Sequence, residues 1–395
     1  MTQDSTRLEE VASRRKFLLS TGAAGLTMLA GCSQSNDGEE GGDDTQTDGM
    51  DTENSDQDTE NSDQNTQNNE ESNESGLDTT VLTGDGSSTV FPITNTGASY
   101  WNSNPEAGDG DYWPTEWADE YGTDMRLADY FAQQYGYEPT GERSRPSFRV
   151  SIALSHSGTG VEGVMEGRVD IGDSSASAEA ELAGSDASDE TLDNFVEHVV
   201  GVDGQPIVAS NEIVEAGVTE ITIEELRAIY RQEITNWSEL GGPDRDILAL
   251  GRAEGSGTDT SFRSNVFGDP NAPISPDQRF GQNQQLQQAI TQADNAISYI
   301  ALAFVEPDGG TPPLDLVIDD TTYSYGDNLG AEDYPLSRDL HAYTWEDTSR
   351  KEAAFLNFIL SDFGQEIFVA GNNYFKLPSD RLETQREKVA ASNYS

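Results

Sequence analysis

Three short segments gather small hydroxyl and glycine residues with no bulky side chain between them: Gly86-Ser87-Ser88-Thr89, Ser157-Gly158-Thr159-Gly160 and Gly255-Ser256-Gly257-Thr258. A helix N-terminus leaves several N–H groups without partners and carries partial positive charge. Glycine lets an anion approach that backbone, and Ser or Thr hydroxyls add donors. One such loop is an ordinary helix cap. Three of them, each between a strand-like run and a helix-like run, point to a shared anion, because open α/β sheets bind ligands at the carboxyl ends of their strands. Arg252, just before the third loop, offers a fixed fork of donors to anion oxygens. Glu254 is placed to orient or neutralise that guanidinium. A nucleotide loop would need G-x-x-x-x-G-K, and no G-x-G-x-x-G opens a strand-to-helix turn. The donors suit a small, dehydrated tetrahedral anion.

The alternative chemistry is a phosphatase with Ser256 or Thr258 as nucleophile. Such a hydroxyl needs an adjacent base or metal. No histidine flanks the Gly255 loop, and His156, His198 and His341 are scattered. The single cysteine, Cys32, excludes an internal disulfide and a Cys-based zinc site. Neither an enzyme, a metal nor a cofactor is expected.

The loops need strands and helices to hold them. Thr79 to Thr83, Phe148 to Leu154, Val169 to Gly172 and Ile247 to Gly251 read as strands, and helix-period segments follow three of them. Thr222 to Glu225 forms a capping box ahead of Leu226, Ile229 and Tyr230. Helices are expected again over Ser349 to Ala370 and Ser379 to Ala391. This alternation argues an α/β architecture with mostly parallel strands. Residues 100–137 are rich in aromatics (Trp101, Tyr112, Trp113, Trp117, Tyr121, Tyr130 and Tyr135 among them) interleaved with Gly, Asp and Glu, and read as an insertion folded onto the first domain, with a short helix near Met125 to Gln134. A nucleic-acid stacking surface would need basic residues between the rings, and Arg126 is the only one.

The net charge is −51, from 22 Lys+Arg against 73 Asp+Glu. Such a balance repels nucleic acid and anionic membranes and suits a surface solvated in strong brine, where salt screens self-repulsion. An anion site in so acidic a chain must be very local. Near the amino terminus, Ser13-Arg-Arg-Lys-Phe-Leu18 resembles the twin-arginine export signal, and an apolar run ends in Leu29-Ala-Gly-Cys32, which resembles a lipobox. The expectation is a signal segment over 1–32 and lipidation at Cys32, with the chain anchored on the extracellular face of the membrane. Residues 33–76 are almost wholly polar and acidic, with Asp51 to Gln57 repeated as Asp58 to Gln64. They have no apolar face to offset ordering entropy and read as a disordered tether.

The run Arg252-Ala-Glu-Gly-Ser-Gly-Thr258 resembles that of the periplasmic phosphate-binding proteins of the Pst importer. So do Gly84-Asp-Gly-Ser-Ser-Thr-Val-Phe-Pro92, Ile234-Thr-Asn-Trp-Ser-Glu-Leu240, Ala296-Ile-Ser-Tyr-Ile300 and Tyr334-Pro-Leu-Ser-Arg338. The resemblance implies a two-lobed, hinged periplasmic-binding-protein fold of type II kind, closing on phosphate and delivering it to the permease of an ABC importer. Lobe one would comprise 78–177 plus 334–395, and lobe two 178–333; the protein would be a monomer. Position by position, Arg252, Ser256, Gly257 and Thr258 match the second-lobe ligands. Ser88, Thr89 and the backbone of Val90 match the first loop, and Ser157 matches a serine after the second strand. His156 would sit on the rim.

The family places a carboxylate after the third strand to accept the proton of bound phosphate. Ser175 stands at that position here. A carboxylate acceptor rejects fully ionised sulfate, because two negative groups are then left in contact. With Ser175, that discrimination is expected to weaken or to pass to Asp173, Asp85 or Glu254. Another oxyanion, sulfate or molybdate, is the alternative ligand.

Overall fold

Short strands alternating with helices build two sheets in the computed structural model, which describes residues 76–183, 185, 187–331 and 333–394. The export-like segment, Cys32 and all but the last residue of the tether lie outside the described residues. The first sheet has five strands in the order β2-β1-β3-β12-β4: β1 (Leu82–Gly86), β2 (Val150–Ile152), β3 (Ile171–Ser174), β4 (Phe195–Asp203) and β12 (Arg338–Trp345). Strands β1, β2 and β3 are parallel, and β12 runs antiparallel to both β3 and β4. The second sheet has seven strands: β5 (Ile207–Ala209), β6 (Glu220–Thr222), β7 (Leu248–Arg252), β8 (Gln278–Phe280), β9 (Ala296–Tyr299), β10 (Pro313–Ile318) and β11 (Thr321–Tyr323). Strands β9, β7 and β8, the last at the sheet's edge, are parallel, so their carboxyl ends lie on one side.

The helices are α1 (Phe91–Ser103), α2 (Thr115–Glu120), α3 (Leu127–Gln133), α4 (Ser157–Met165), α5 (Ala178–Glu181), α6 (Asp189–Leu192), α7 (Asn211–Glu215), α8 (Ile223–Tyr230), α9 (Gly257–Phe267), α10 (Asn283–Gln292), α11 (Arg350–Leu360) and α12 (Ser379–Lys388). The expected capping box of α8 is formed: Thr222 accepts from the Glu225 amide, and the Glu225 carboxylate accepts from Thr222 N–H at 2.8 Å. Strand β1 begins three residues later than the apolar pattern suggests. Asp78 ties up Thr80 in a local turn, and pairing starts with Leu82 opposite Val150. The glycines let β1 run on into the expected loop. Gly86, at φ 141°, lies against the Asp173 carbonyl, where a Cβ would collide.

The lobe boundary expected at 177/178 is corrected by the sheet pairing. Residues 195–203 pair with β12 along its length, from Arg338 opposite Asp203 to Trp345 opposite Phe195. The chain therefore stays on the first lobe until Asp203, and crosses at Gly204–Pro206 and again between β11 and β12. The physical reason is that β12 returns antiparallel and offers a second edge, which β4 fills. One long carboxyl helix is also corrected. Ser361 is extended (φ −64°, ψ 161°), ends α11, and caps the next turn by accepting from Gly364 N–H.

The aromatic segment forms the outer layer of lobe one. Trp101 and Trp113 are fully buried, Trp113 and Trp117 meet Phe363 edge-on, Tyr100 and Phe358 meet Phe368 edge-on, and Phe131 tilts onto Phe358. Trp101 Nε1 donates to Phe148 O and Trp113 Nε1 to Met125 O, so both indoles are satisfied. This large buried area fixes α1 on the first sheet, and with it the Ser87–Thr89 loop.

Candidate functional site

All three donor loops reach one place between the lobes. Ser87 and Ser88 follow β1, and Thr89 precedes α1; all three are buried. Ser157 opens α4. Ser256, Gly257 and Thr258 open α9 on the other lobe. Thr89 Oγ1 and Thr258 Oγ1 face each other at 2.9 Å across the lobes. Ser175 Oγ lies 3.0 Å from Ser87 Oγ and 3.3 Å from Ser157 Oγ. A Cβ on Gly257 would collide with the Ser157 and Ser175 hydroxyls, so the α9 turn is seated directly on lobe one. The backbone adds a crossing: Gly158 N–H donates to Gly255 O at 3.2 Å.

Arg252 is 1% exposed and is held from several sides. Its Nη2 donates to Ser88 Oγ (3.0 Å) and Gly281 O (2.7 Å), Nη1 to Thr258 Oγ1 (3.2 Å), and Nε to Phe280 O (3.1 Å). Its own N–H donates to the Tyr299 hydroxyl, which donates in turn to Asp259. Tyr299 stacks on Phe262 at 3.8 Å. Thus the Ala296–Ile300 motif positions Arg252, and Trp237, donating to Asn295 O at 2.9 Å, fixes the start of that strand. Among the described residues no carboxylate lies within ion-pair distance of Arg252; Asp259 pairs with Arg263 and Arg279 instead. Burial pulls the Arg252 pKa down to about 10, and the charge of Arg338 adds to this.

Arg338, which the sequence offers only as the end of the run Tyr334-Pro-Leu-Ser-Arg338, is the second cation of the candidate site. Its Nη2 donates to Thr258 Oγ1 (3.2 Å) and Thr89 Oγ1 (3.4 Å), and its Nη1 to Gly257 O (3.1 Å). Asp203 anchors it, accepting from Nε at 3.0 Å and Nη2 at 2.6 Å. Asn283, at the start of α10, was also missed. Its Nδ2 donates to Ser88 Oγ (3.1 Å) and Thr89 Oγ1 (3.0 Å), while its Oδ1 is buried without a partner. Two guanidiniums and an amide therefore crowd their donors onto three hydroxyl oxygens. Donors and positive charge are in surplus, and a tetrahedral anion is the guest whose lone pairs and charge match.

The remaining expectations divide. Ser256 is buried at the N-cap of α9, but its hydroxyl makes no capping bond. The Val90 amide is engaged within its own turn, donating to Ser87 O at 3.1 Å. Glu254 does not reach Arg252: its side chain is 80% exposed and lies 3.7 Å from Arg263. The Gly255 turn, at φ 76°, swings it outward. Asp85 accepts from Gly86 N–H and Ser155 Oγ, both at 2.7 Å. Asp173 is buried beneath α1, with Oδ2 accepting from Thr94 at 2.6 Å and Oδ1 without a partner. Burial raises its pKa to about 7, the Thr94 bond opposing and Asp85 adding. His156 packs against Gly281 at the lobe junction; burial, then Arg252, lower its pKa. Among the described residues no group of three or more His, Cys, Asp or Glu is arranged to hold a metal ion.

Comparison with known proteins identifies the family and the fold. Residues 126–362 match the PBP superfamily domain. Over 244 residues the chain is 30% identical to the phosphate-binding protein PstS of Bacillus subtilis, covering 61% of this chain and 75% of that one. It is 26% identical over 185 residues to PstS of Borreliella burgdorferi, covering 43% and 62%. The fold matches a phosphate-bound ABC transporter substrate-binding protein from Clostridium perfringens, with 22% identity, a TM-score of 0.55 and coverage of 75% and 100%. An ABC-type phosphate transport receptor from Vibrio cholerae shares it at 19% identity and a TM-score of 0.50, with the same coverage.

Proposed function

The chain belongs to the PBP superfamily, and on that premise we propose that it captures inorganic phosphate between its lobes and delivers it to the permease of an ABC importer. The observation that carries this reading is the donor surplus around Thr89 and Thr258: Arg252 and Arg338 both donate to Thr258, and only Arg338 has a carboxylate partner. Its relatives at 30% and 26% identity are named as phosphate-binding proteins, which supports the choice of ion. In this reading Arg252 and Arg338 grip the phosphate oxygens. Ser88, Thr89, Ser157, Ser175, Ser256 and Thr258 supply hydroxyls, and the Gly257 turn supplies amides, the Val90 amide being held by Ser87 O. Asp173 is the buried carboxyl available to accept the phosphate proton in place of Ser175. The protein works as a monomeric carrier rather than an enzyme. The lipobox-like run supports anchoring through Cys32 on the extracellular face after twin-arginine export.

Phosphate titration by calorimetry at high salt tests this, with sulfate as competitor. Arg252→Ala should weaken phosphate binding by about 2–4 kcal/mol, the scale for truncating a buried, hydrogen-bonded charge partner. Unchanged affinity in that variant rejects the site, and equal affinity for sulfate rejects phosphate as the selected ion.

A further inference from the structure

Glu181, the last residue of α5, has no part in the site above, yet it stands where the lobes meet. Helix α5 belongs to lobe one: Ala178 and the following Leu182 pack with Val161 and Val164 of α4 and with Tyr343 of β12. From there the Glu181 side chain reaches toward lobe two and the Thr260 hydroxyl, one turn into α9 from the Gly257–Thr258 donors. It lies over the backbone crossing between Gly158 and Gly255: a Cβ on Gly158 would be 3.4 Å from both Glu181 Oε2 and Gly255 O. The carboxyl end is inside, with Oε1 shut from solvent and without a partner.

The hydrogen-bond chemistry says which form of the carboxyl fits. Thr260 has one hydroxyl proton, and the Ser256 carbonyl lies 3.2 Å from its oxygen, in position to take it. What that proton gives to Ser256 it cannot give to Glu181, so a Glu181 carboxylate has no full hydrogen bond to replace the water it loses on closure. The charges around it agree. Asp259 faces it from α9 and Arg338 from β12. Arg338 is already engaged by Asp203, and Arg263 of α9 by Asp259. On α4 the nearest carboxylate, Glu162, is exposed, as is Glu179 of α5 itself. An ionised Glu181 would therefore add a buried, poorly matched negative charge beside an anion site.

We propose that Glu181 is a positioning residue whose carboxyl must take up a proton for the lobes to close, so that phosphate is held tightly at low pH and released as pH rises. This rests on the reading of the cleft as the phosphate site. Burial pushes the carboxyl up to about 8, with Thr260 and Arg338 opposing and Asp259 adding. In the open form the carboxyl is solvated and titrates in the ordinary range. The sign follows. Below the ordinary carboxyl range both forms hold the proton and closure costs nothing extra. Above it, each pH unit disfavours closure by up to about tenfold, until the closed form also ionises.

The test is phosphate affinity of the wild type and Glu181→Gln, measured from about pH 5 to about pH 8.5. Gln is isosteric, permanently neutral and able to donate to Thr260, and taking the ratio of the two proteins cancels phosphate's own titration. The ratio is expected within about fivefold of one at the acid end, and to grow with pH until the Gln variant binds more tightly by a further tenfold or more at the alkaline end. A ratio independent of pH, with binding intact, overturns the latch and leaves the phosphate site standing. Small-angle scattering without phosphate gives a second reading. The wild type should expand with rising pH and Glu181→Gln should not. Expansion without any phosphate binding sinks the ligand assignment but keeps the latch; no difference between the two proteins sinks the latch.

Discussion

Arg338→Met tests whether the second cation is both a ligand and a structural partner. The side chain is 5% exposed and donates twice to Asp203, whose own side chain is wholly buried. Methionine fills much of the arginine's volume but leaves Asp203 without its countercharge. Removing one member of a buried pair costs about 3–5 kcal/mol, because the survivor stays desolvated and unpaired. Asp203 Oδ1 would still accept from Leu302 N–H (2.9 Å) and Gln205 N–H (3.3 Å), which favours the lower end of that range. The same substitution removes donors to Thr89 and Thr258. Phosphate binding should weaken by about 2–5 kcal/mol, roughly 30-fold or more. Adding Asp203→Asn separates the two effects. Asparagine keeps an acceptor for the two amides and carries no charge, so the double variant should regain about 2 kcal/mol or more of stability. Its phosphate affinity should remain as poor as that of Arg338→Met. Urea unfolding at fixed salt and without phosphate gives the stabilities, and calorimetry gives the affinities. The reasoning fails if Arg338→Met unfolds with the wild-type midpoint, or if the double variant recovers affinity along with stability.

Other outcomes follow from the same geometry. Gly257→Ala places a methyl against the Ser157 and Ser175 hydroxyls; overpacking of about 1–3 kcal/mol should appear as weaker phosphate binding. Helix α9 itself should be stabilised slightly by the change, so an unchanged affinity would show that the lobes do not meet there. His198 is fully buried with Nε2 2.9 Å from Thr348 Oγ1, and burial pulls its pKa down to about 4. The folded protein resists protonating it, so stability present above the ordinary histidine range should be lost as pH falls from about 6.5 to about 4, by about 3 kcal/mol. His198→Gln should flatten that part of the stability–pH curve. Arg252→Lys should recover little of the affinity lost in Arg252→Ala, since one ammonium cannot serve Ser88, Thr258 and two carbonyls at once.

The contiguous parts of the candidate site were legible in the sequence, and the parts assembled by the fold were not. Arg252 and the Ser256–Thr258 turn lie within seven residues of one another, so local chemistry announced them, as it did the Ser87–Thr89 and Ser157 loops. Arg338 and Asn283 reach the same oxygens from separate strands and helices, with no pattern around either that says donor. In retrospect a signal existed for Arg338. It opens an apolar strand, Arg338-Asp-Leu-His-Ala-Tyr-Thr-Trp345, in a chain with only 22 basic residues, where a buried cation needs a reason. Glu254 misled because sequence adjacency to Arg252 does not fix direction, and the left-handed Gly255 turn points it into solvent. The lobe boundary was misplaced because β4 pairs with a strand 135 residues away, Asp203 opposite Arg338, which no local periodicity records. The break at Ser361 could have been read, since Ser-Asp-Phe-Gly carries its own cap.

The central claim is that donors from both lobes grip one tetrahedral ion. A crystal structure of the protein with phosphate tests it most directly. The account requires density for the ion in hydrogen-bond contact with Arg252, Arg338 and the hydroxyls of Ser88, Thr89 and Thr258 together. A phosphate bound elsewhere, with these side chains still bonded only to one another, would contradict it.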